Sequence, residues 1–225
     1  MEKCVIFDMD GVIIDSEPIH QECERRVFAL LGIRVSEEEH DALIGTTDKT
    51  MWERLGKAHD LPIKAGEIIE LKKSLYMEYL KRDTHLKPII GVTDLIVSLA
   101  KNGFTLALAS SSPRQQIDYI LERFDMKDFF MTTVSGEEVE NGKPDPDIFL
   151  KAASRAGVKP HVCTVIEDSF NGITAAKKAG MKSIGFINPA SGSQDLIGAD
   201  LMIRSFQELS PARILALLPQ EHPHQ

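Results

Sequence analysis

Short apolar segments alternate with segments of helical periodicity along most of the chain. Each short segment is rich in aliphatic or β-branched residues and is bounded by polar or turn-forming residues, which is typical of buried strands. Strands are predicted at CVIF (4–7), FTLALAS (104–110), FFMTTVS (129–135), VCTVIED (162–168), KSIGFIN (182–188) and within ADLMIRSFQEL (199–209). In the helix after the second strand, Ser112 is predicted to be the N-cap, with Pro113 at the first position and Gln115 completing a capping box.

The block of residues 16–85 interrupts this alternation. Its apolar positions have helical spacing, starting with a helix near Pro18, and it contains no convincing strand. Strands that are joined by helices form parallel sheets covered on both faces. We therefore predict a doubly wound, Rossmann-like α/β core made of residues 1–15 and 86–225, with an inserted α-helical cap domain at residues 16–85.

Composition narrows the class of protein. Of the 225 residues, 43% are hydrophobic and 27% are charged, which is ordinary for a soluble globular protein. The net charge of −8 argues against nucleic acid as a partner, because phosphate backbones select basic proteins. The sequence has no apolar run long enough for a membrane span, no recognisable signal peptide and no paired cysteine motif. These features predict a cytoplasmic protein that binds neither membranes nor nucleic acids.

Polar residues follow four of the predicted strands, at the point where each strand ends. In chain order they are Asp8 and Asp10, Ser110 and Ser111, Lys143 in the loop NGKPDPD, and Glu167 with Asp168. Ligands of open parallel sheets bind beyond the carboxyl ends of the strands. We therefore expect these acids, hydroxyls and the amine to meet at one edge of the sheet.

Phosphoryl transfer is the chemistry that suits such a set. Crowded carboxylates repel one another unless a cation neutralises them, and Mg²⁺ prefers carboxylates, waters and phosphate oxygens. A carboxylate can attack phosphorus, while a second acid protonates the leaving oxygen and later activates water. Hydroxyls, backbone N–H groups and a lysine can hold the transferred group's oxygens.

Four segments together resemble the motifs of the haloacid dehalogenase-like hydrolases: FDMDGVIIDS, SSS after the second strand, GKPDPDIF and IEDSFNGI. The resemblance covers essentially the whole chain. It is closest to the branch with a helical cap after the first motif, which contains β-phosphoglucomutase and phosphoglycolate phosphatase.

The resemblance implies a role for each strand-end residue. Asp8 is the expected nucleophile and Asp10 the expected general acid and base. Mg²⁺ is expected at Asp8, the backbone carbonyl of Asp10, and Asp168, with Glu167 in or next to the metal's shell. The side chains of Ser110 and Lys143, together with the N–H of Ser111, are expected to hold the phosphoryl oxygens.

Substrate choice in this family is associated with the cap. β-Phosphoglucomutase carries an arginine there that binds the substrate's second phosphate, whereas the matching position in LIGTTDKTMW (43–52) is Asp48, beside Lys49. An aspartate repels a phosphate dianion. Lys49 is a further specificity candidate, because it could replace the charge of the arginine, although not its bidentate contact. His20 in the first cap helix is a further candidate for substrate contact.

These observations predict a monomeric, Mg²⁺-dependent phosphatase that hydrolyses a small phosphorylated metabolite, such as a sugar phosphate, through an aspartyl-phosphate intermediate. A β-phosphoglucomutase-type mutase is the alternative. A non-enzymatic phospho-receiver or binding protein has a similar set of acids and a lysine, but it needs no helical insertion at residues 16–85. A nucleotide-binding protein is disfavoured because neither glycine-rich phosphate motif is present.

Overall fold

The computed structural model describes residues 2–41, 48–192 and 194–219 and contains a six-stranded parallel sheet in the order β3-β2-β1-β4-β5-β6. The strands are β1 (Cys4–Phe7), β2 (Thr105–Ser110), β3 (Thr132–Ser135), β4 (Cys163–Glu167), β5 (Lys182–Phe186) and β6 (Leu201–Ile203). Helices cover both sides of the sheet. The predicted doubly wound, Rossmann-like core is therefore confirmed.

The first strand lies in the middle of the sheet. Strand β1 pairs with β2 in the register Cys4↔Thr105 and with β4 in the register Cys4↔Cys163. All four of its residues are fully buried. Because the strand order reverses at β1, the loops that follow β1, β2 and β4 diverge there and leave room for a ligand.

Five helices belong to the same part of the chain as the sheet. They are α5 (Val92–Lys101), α6 (Arg114–Arg123), α7 (Asp147–Arg155), α8 (Phe170–Lys178) and α9 (Pro211–Leu215). Buried alanines on α7 and α8 form one hydrophobic cluster with residues of β1, β2 and β4. Small side chains let these two helices lie close to the sheet, which fixes the loops that precede them.

The chain divides into two compact units, one made of residues 1–15 with 87–225 and the other of residues 16–86. The second unit contains α1 (Glu17–Leu31), α2 (Glu37–Asp41), α3 (Asp48–Ala58) and α4 (Ala65–Arg82), and its described residues include no strand. Helix α1 ends at Gly32, whose left-handed backbone (φ 67°) closes the last turn. Trp52 is fully buried and packs edge-on against Phe28.

Two local predictions are wrong. The segment FFMTTVS is not one strand, because Lys127–Phe129 form a 3₁₀ turn and β3 begins at Thr132. Its apolar start reflects Phe130, which is buried edge-on against Phe7. Ser112 does not cap α6, since that helix begins at Arg114 after an extended Pro113. Its hydroxyl donates to the carboxylate of Asp10 instead.

Among the described residues, no helix combines the length and the apolar character that crossing a membrane requires.

Candidate active site

Asp8 and Asp10 follow strand β1 and lie at the carboxyl edge of the sheet. The backbone N–H of Asp8 donates to the carbonyl of Ile166, which continues the pairing with β4. The chain then turns at Gly11, whose φ is +73°. A Cβ atom at Gly11 would lie 1.9 Å from Oδ2 of Asp168. Glycine is therefore required at position 11 both by its backbone conformation and by the close approach of an acid from β4.

Lys143 joins the acids of two neighbouring strands. Its Nζ lies 2.6 Å from Oδ1 of Asp8 and 2.6 Å from Oε1 of Glu167, and all three side chains are buried. The ammonium also lies 5.0 Å from the ring centroid of Phe149. Burial by itself lowers the pKa of Lys143, but the charges of Asp8 and Glu167 outweigh it and the net shift is upward. The lysine is thus held charged between two carboxylates.

The acids of β1 and β4 crowd one another. One carboxylate oxygen from each of Asp8, Glu167 and Asp168 lies within 4.8 Å of the other two. Burial raises the pKa of Asp8 well above its usual range, and the neighbouring acids add to this while Lys143 opposes it. Burial and the charge of Glu167 raise the pKa of Asp168 to about 7. One lysine therefore compensates this cluster only in part, and the oxygen donors suit a hard divalent cation such as Mg²⁺.

Glu167 is fixed by the start of α8. Its Oε2 accepts hydrogen bonds from the backbone N–H groups of Asp168 and Ser169 and from the Ser169 hydroxyl. The Ser169 hydroxyl in turn accepts from the N–H of Gly172 and caps the helix. A Cβ at Gly172 would lie 1.8 Å from Oε1 of Glu167. The first turn of α8 thus leaves a space that the glutamate occupies.

Two serines contact Asp10. The hydroxyl of Ser110, at the end of β2, donates to Oδ2 of Asp10 over 3.2 Å, and the hydroxyl of Ser112 donates to the same oxygen over 2.6 Å. Ser110 is fully buried, whereas Ser111 between them is exposed. The structure therefore brings Asp8, Asp10, Ser110 and Lys143 to one edge with the acids of β4.

The loop after β5 supplies two contacts that were not predicted. The hydroxyl of Ser191 donates to Oδ2 of Asp168, and the side-chain amide of Asn188 donates to the carbonyl of Gly11. Strand β5 pairs with β4, so its end belongs to the same edge of the sheet. The strand-end reasoning that identified Glu167 also applies to the segment INPAS and could have identified both residues.

The cap candidates lie in the helical unit. His20 stacks on Tyr76, with ring centroids 4.6 Å apart. Asp48 begins α3 and forms an ion pair with Lys72 at 2.7 Å, and the buried Lys72 also binds Glu24 at 2.7 Å. Lys49 is exposed. The preceding residues of the predicted specificity loop, 42–47, lie outside the described residues.

Comparison with known proteins places these features in context. A sequence profile of the haloacid dehalogenase-like hydrolases matches residues 5–186. The phosphorylated carbohydrates phosphatase of Thermotoga maritima is 34% identical over 88% of this chain and 91% of its own. The β-phosphoglucomutase of Bacillus subtilis is 32% identical over 97% of this chain and 95% of its own. A mutant of CbbY from Rhodobacter sphaeroides, solved in complex with xylulose 1,5-bisphosphate, has a TM-score of 0.85 at 25% identity and covers 96% of this chain and 99% of its own.

Proposed function

The chain belongs to the haloacid dehalogenase-like hydrolases, and from this premise we propose that it is a Mg²⁺-dependent phosphatase of small sugar phosphates. The observation that carries the proposal is the buried group formed by Asp8, Lys143 and Glu167 beside Asp168. Burying three acids beside one lysine costs free energy of desolvation, and a site with only a structural role does not require it. The relative that acts on phosphorylated carbohydrates suggests the substrate class.

The proposed reaction has two steps. In the first, a carboxylate oxygen of Asp8 forms a bond to phosphorus, the bond from phosphorus to the ester oxygen breaks, and Asp10 gives its proton to the departing alkoxide. In the second, Asp10 takes a proton from water as the water oxygen attacks phosphorus. The bond between phosphorus and Asp8 then breaks and inorganic phosphate leaves.

Three groups are proposed to hold the transferred phosphoryl oxygens: the Ser110 hydroxyl, the Ser111 N–H and the Lys143 ammonium. Asp8, Glu167, Asp168 and the backbone carbonyl of Asp10 are proposed to hold Mg²⁺. When bound, the ion offsets negative charge that would otherwise repel the substrate. Lys143 already contacts two of these acids, so it can keep them close before substrate binds.

The proposal is tested by measuring phosphate release from a panel of phosphorylated metabolites. We expect turnover of sugar monophosphates that stops with EDTA and returns with Mg²⁺. A phospho-receiver would instead take up at most one phosphoryl group per chain without sustained release. A binding protein would release none.

A mutase is the second candidate, because the Bacillus subtilis relative carries that name. Incubation with β-glucose 1-phosphate and a trace of the 1,6-bisphosphate separates the two activities. We expect free phosphate as the main product. Rapid formation of glucose 6-phosphate with little free phosphate would establish the mutase.

The contacts of Asp48 argue against a second phosphate on the substrate. Asp48 and Glu24 share the single ammonium of Lys72, and Glu24 also contacts His40 through Nε2 at 2.6 Å, so Lys72 is not free to bind a phosphate. Lys72 also fixes the Asp48 carboxylate at the start of α3. We propose that Asp48 disfavours bisphosphorylated sugars.

Asp48→Arg is expected to lower KM for a bisphosphorylated sugar by roughly two- to fivefold, the range of one new exposed ion pair. KM for a sugar monophosphate should change little. Asp48→Asn is the matched control, since it removes the repulsion without adding a cation and should have a smaller effect. Equal KM values for the bisphosphate in all three proteins would contradict a role of position 48 in specificity.

A further inference from the structure

The hydroxyl of Ser112 donates to Asp10, although the position of this serine in the sequence predicts a helix N-cap. The Oγ–Oδ2 distance is 2.6 Å, and Ser112 is 8% exposed. A hydroxyl that donates to a carboxylate at this distance forms a strong, charge-assisted hydrogen bond. The contact joins residues 102 positions apart, so it is a product of the fold and not of local turn chemistry.

The backbone of Ser112 is held from two sides. Its N–H donates to the hydroxyl of Ser110 over 3.0 Å, and its carbonyl accepts from the hydroxyl of Ser135 over 2.7 Å. Ser135 is fully buried at the end of β3. At Gly136, a Cβ would lie 2.7 Å from the carbonyl oxygen of Ser111. The end of β3 therefore packs tightly against residues 111–112 and fixes the direction of the Ser112 side chain.

The hydroxyls of Ser110 and Ser112 have different roles in the proposed reaction. The Ser110 hydroxyl is 3.2 Å from Asp10, a longer contact, and it has to turn toward a phosphoryl oxygen when substrate binds. Ser112 has the shorter contact and no assigned task at the phosphoryl group. When Ser110 turns away, the Ser112 hydroxyl still holds Oδ2 of Asp10.

We propose that Ser112 is a positioning residue that holds the Asp10 carboxylate in place for both proton transfers. This inference rests on the proposed function, because it requires Asp10 to be the general acid and base. Placement of a catalytic carboxylate within hydrogen-bonding reach of the proton governs how well it works. Loss of this hydrogen bond from Ser112 to Asp10, called the tether below, should slow the chemical steps without weakening substrate binding.

The expected signature depends on the leaving group. p-Nitrophenolate departs with little need of a proton, so the first step with p-nitrophenyl phosphate should survive loss of the tether. Hydrolysis of the phosphorylated Asp8 still needs Asp10 as base and should become slow. Ser112→Ala should therefore release p-nitrophenol in an initial burst close to one equivalent per chain, followed by slow turnover. A sugar phosphate has a poor leaving group and should give no burst.

The experiment compares Ser112→Ala, Asp10→Asn and the double variant, with Ser183→Ala as the matched control. Ser183 is a buried serine of β5 whose hydroxyl lies 3.4 Å from Asp200, away from the strand-end acids. We expect Ser112→Ala to lower kcat for a sugar phosphate roughly 10- to 100-fold with KM nearly unchanged, which is the effect of one strong hydrogen bond. Ser112→Thr, which keeps the hydroxyl, should recover most of the rate. Ser183→Ala should keep the original kcat.

The double variant decides whether Ser112 acts through Asp10. Asp10→Asn alone should lose roughly 10²–10⁴-fold in kcat. If Ser112 works only by holding Asp10, the double variant should be no slower than Asp10→Asn. The inference would be overturned if the fold-losses in kcat of the two single variants multiplied in the double variant. A rise in KM at constant kcat in Ser112→Ala would also overturn it. Ser112→Cys, with a similar side-chain length and a weaker donor, gives the same test if the alanine variant does not fold.

Failure of the inference can be told apart from failure of the proposed function. A slow Asp10→Asn with an unaltered Ser112→Ala overturns only the role of Ser112. An Asp10→Asn variant with the original kcat toward a sugar phosphate overturns the role of Asp10 and the inference with it.

Discussion

Asp8→Asn is expected to abolish turnover while leaving the protein at least as stable as before. Asparagine keeps the shape of the side chain but cannot attack phosphorus, so kcat should fall by a factor on the order of 10⁴–10⁶. The substitution also removes one of three buried acids whose oxygens lie within 4.8 Å of one another. Lys143 keeps Glu167 as a partner at 2.6 Å, so no uncompensated lysine is left behind.

Steady-state kinetics with Mg²⁺ and calorimetry in EDTA, both at neutral pH, measure the two halves of this prediction. Asp200→Asn is the matched control. Its carboxylate forms an ion pair with Lys182 at 2.6 Å and accepts from the N–H of Ser183, outside the acidic cluster. That variant should lower Tm slightly and keep kcat. Original turnover in Asp8→Asn would show that Asp8 is not the nucleophile, and a large fall in Tm would show that its charge supports the fold.

Lys143→Ala is expected to have the largest effect on stability. It leaves the carboxylates of Asp8 and Glu167, both buried, without the ammonium that lies 2.6 Å from each. Breaking a buried ion pair in this way typically costs about 3–5 kcal/mol. Activity should also fall sharply, since the proposed phosphoryl contact is lost.

Magnesium should restore part of that stability. Calorimetry with EDTA and with Mg²⁺ should show a larger metal-induced rise in Tm for Lys143→Ala than for the original chain, because uncompensated acids bind a cation more strongly. Lys182→Ala, which removes an exposed lysine paired with Asp200, is the control and should lower Tm only slightly. Equal metal-induced shifts in all three proteins would contradict the assignment of the metal to these acids.

The sequence was sufficient to predict the sheet and the meeting of the strand-end residues. Apolar runs identify strands, and parallel topology then brings the ends of β1, β2 and β4 together, so Asp8, Ser110 and Glu167 converge without further information. The position of Lys143 followed from its loop. The exact contacts of Lys143 could not be predicted, because the position of its ammonium between two acids depends on side-chain packing around Phe149.

Ser112 shows where local rules fail. A serine before Pro113 has the pattern of an N-cap, and that rule considers only the next few residues. In the fold, the hydroxyl of Ser112 donates instead to the carboxylate of Asp10, which is 102 positions away. Lys72 is a similar case in the helical unit. It lies in the charge-rich segment KKSLYMEYLKR, yet it is buried between Glu24 and Asp48, which are distant in the sequence.

The central place of β1 has a consequence for biosynthesis. Residues 4–7 are synthesised before every other strand of the sheet, and their neighbours are residues 105–108 and 163–166. At a synthesis rate of roughly 5–20 residues per second, β1 waits on the order of ten to thirty seconds before its second neighbour exists. During that interval an apolar segment with unpaired backbone groups is exposed to other chains and to chaperones. The strand that carries the proposed nucleophile is therefore the part of the sheet at greatest risk of aggregation while the protein is being made.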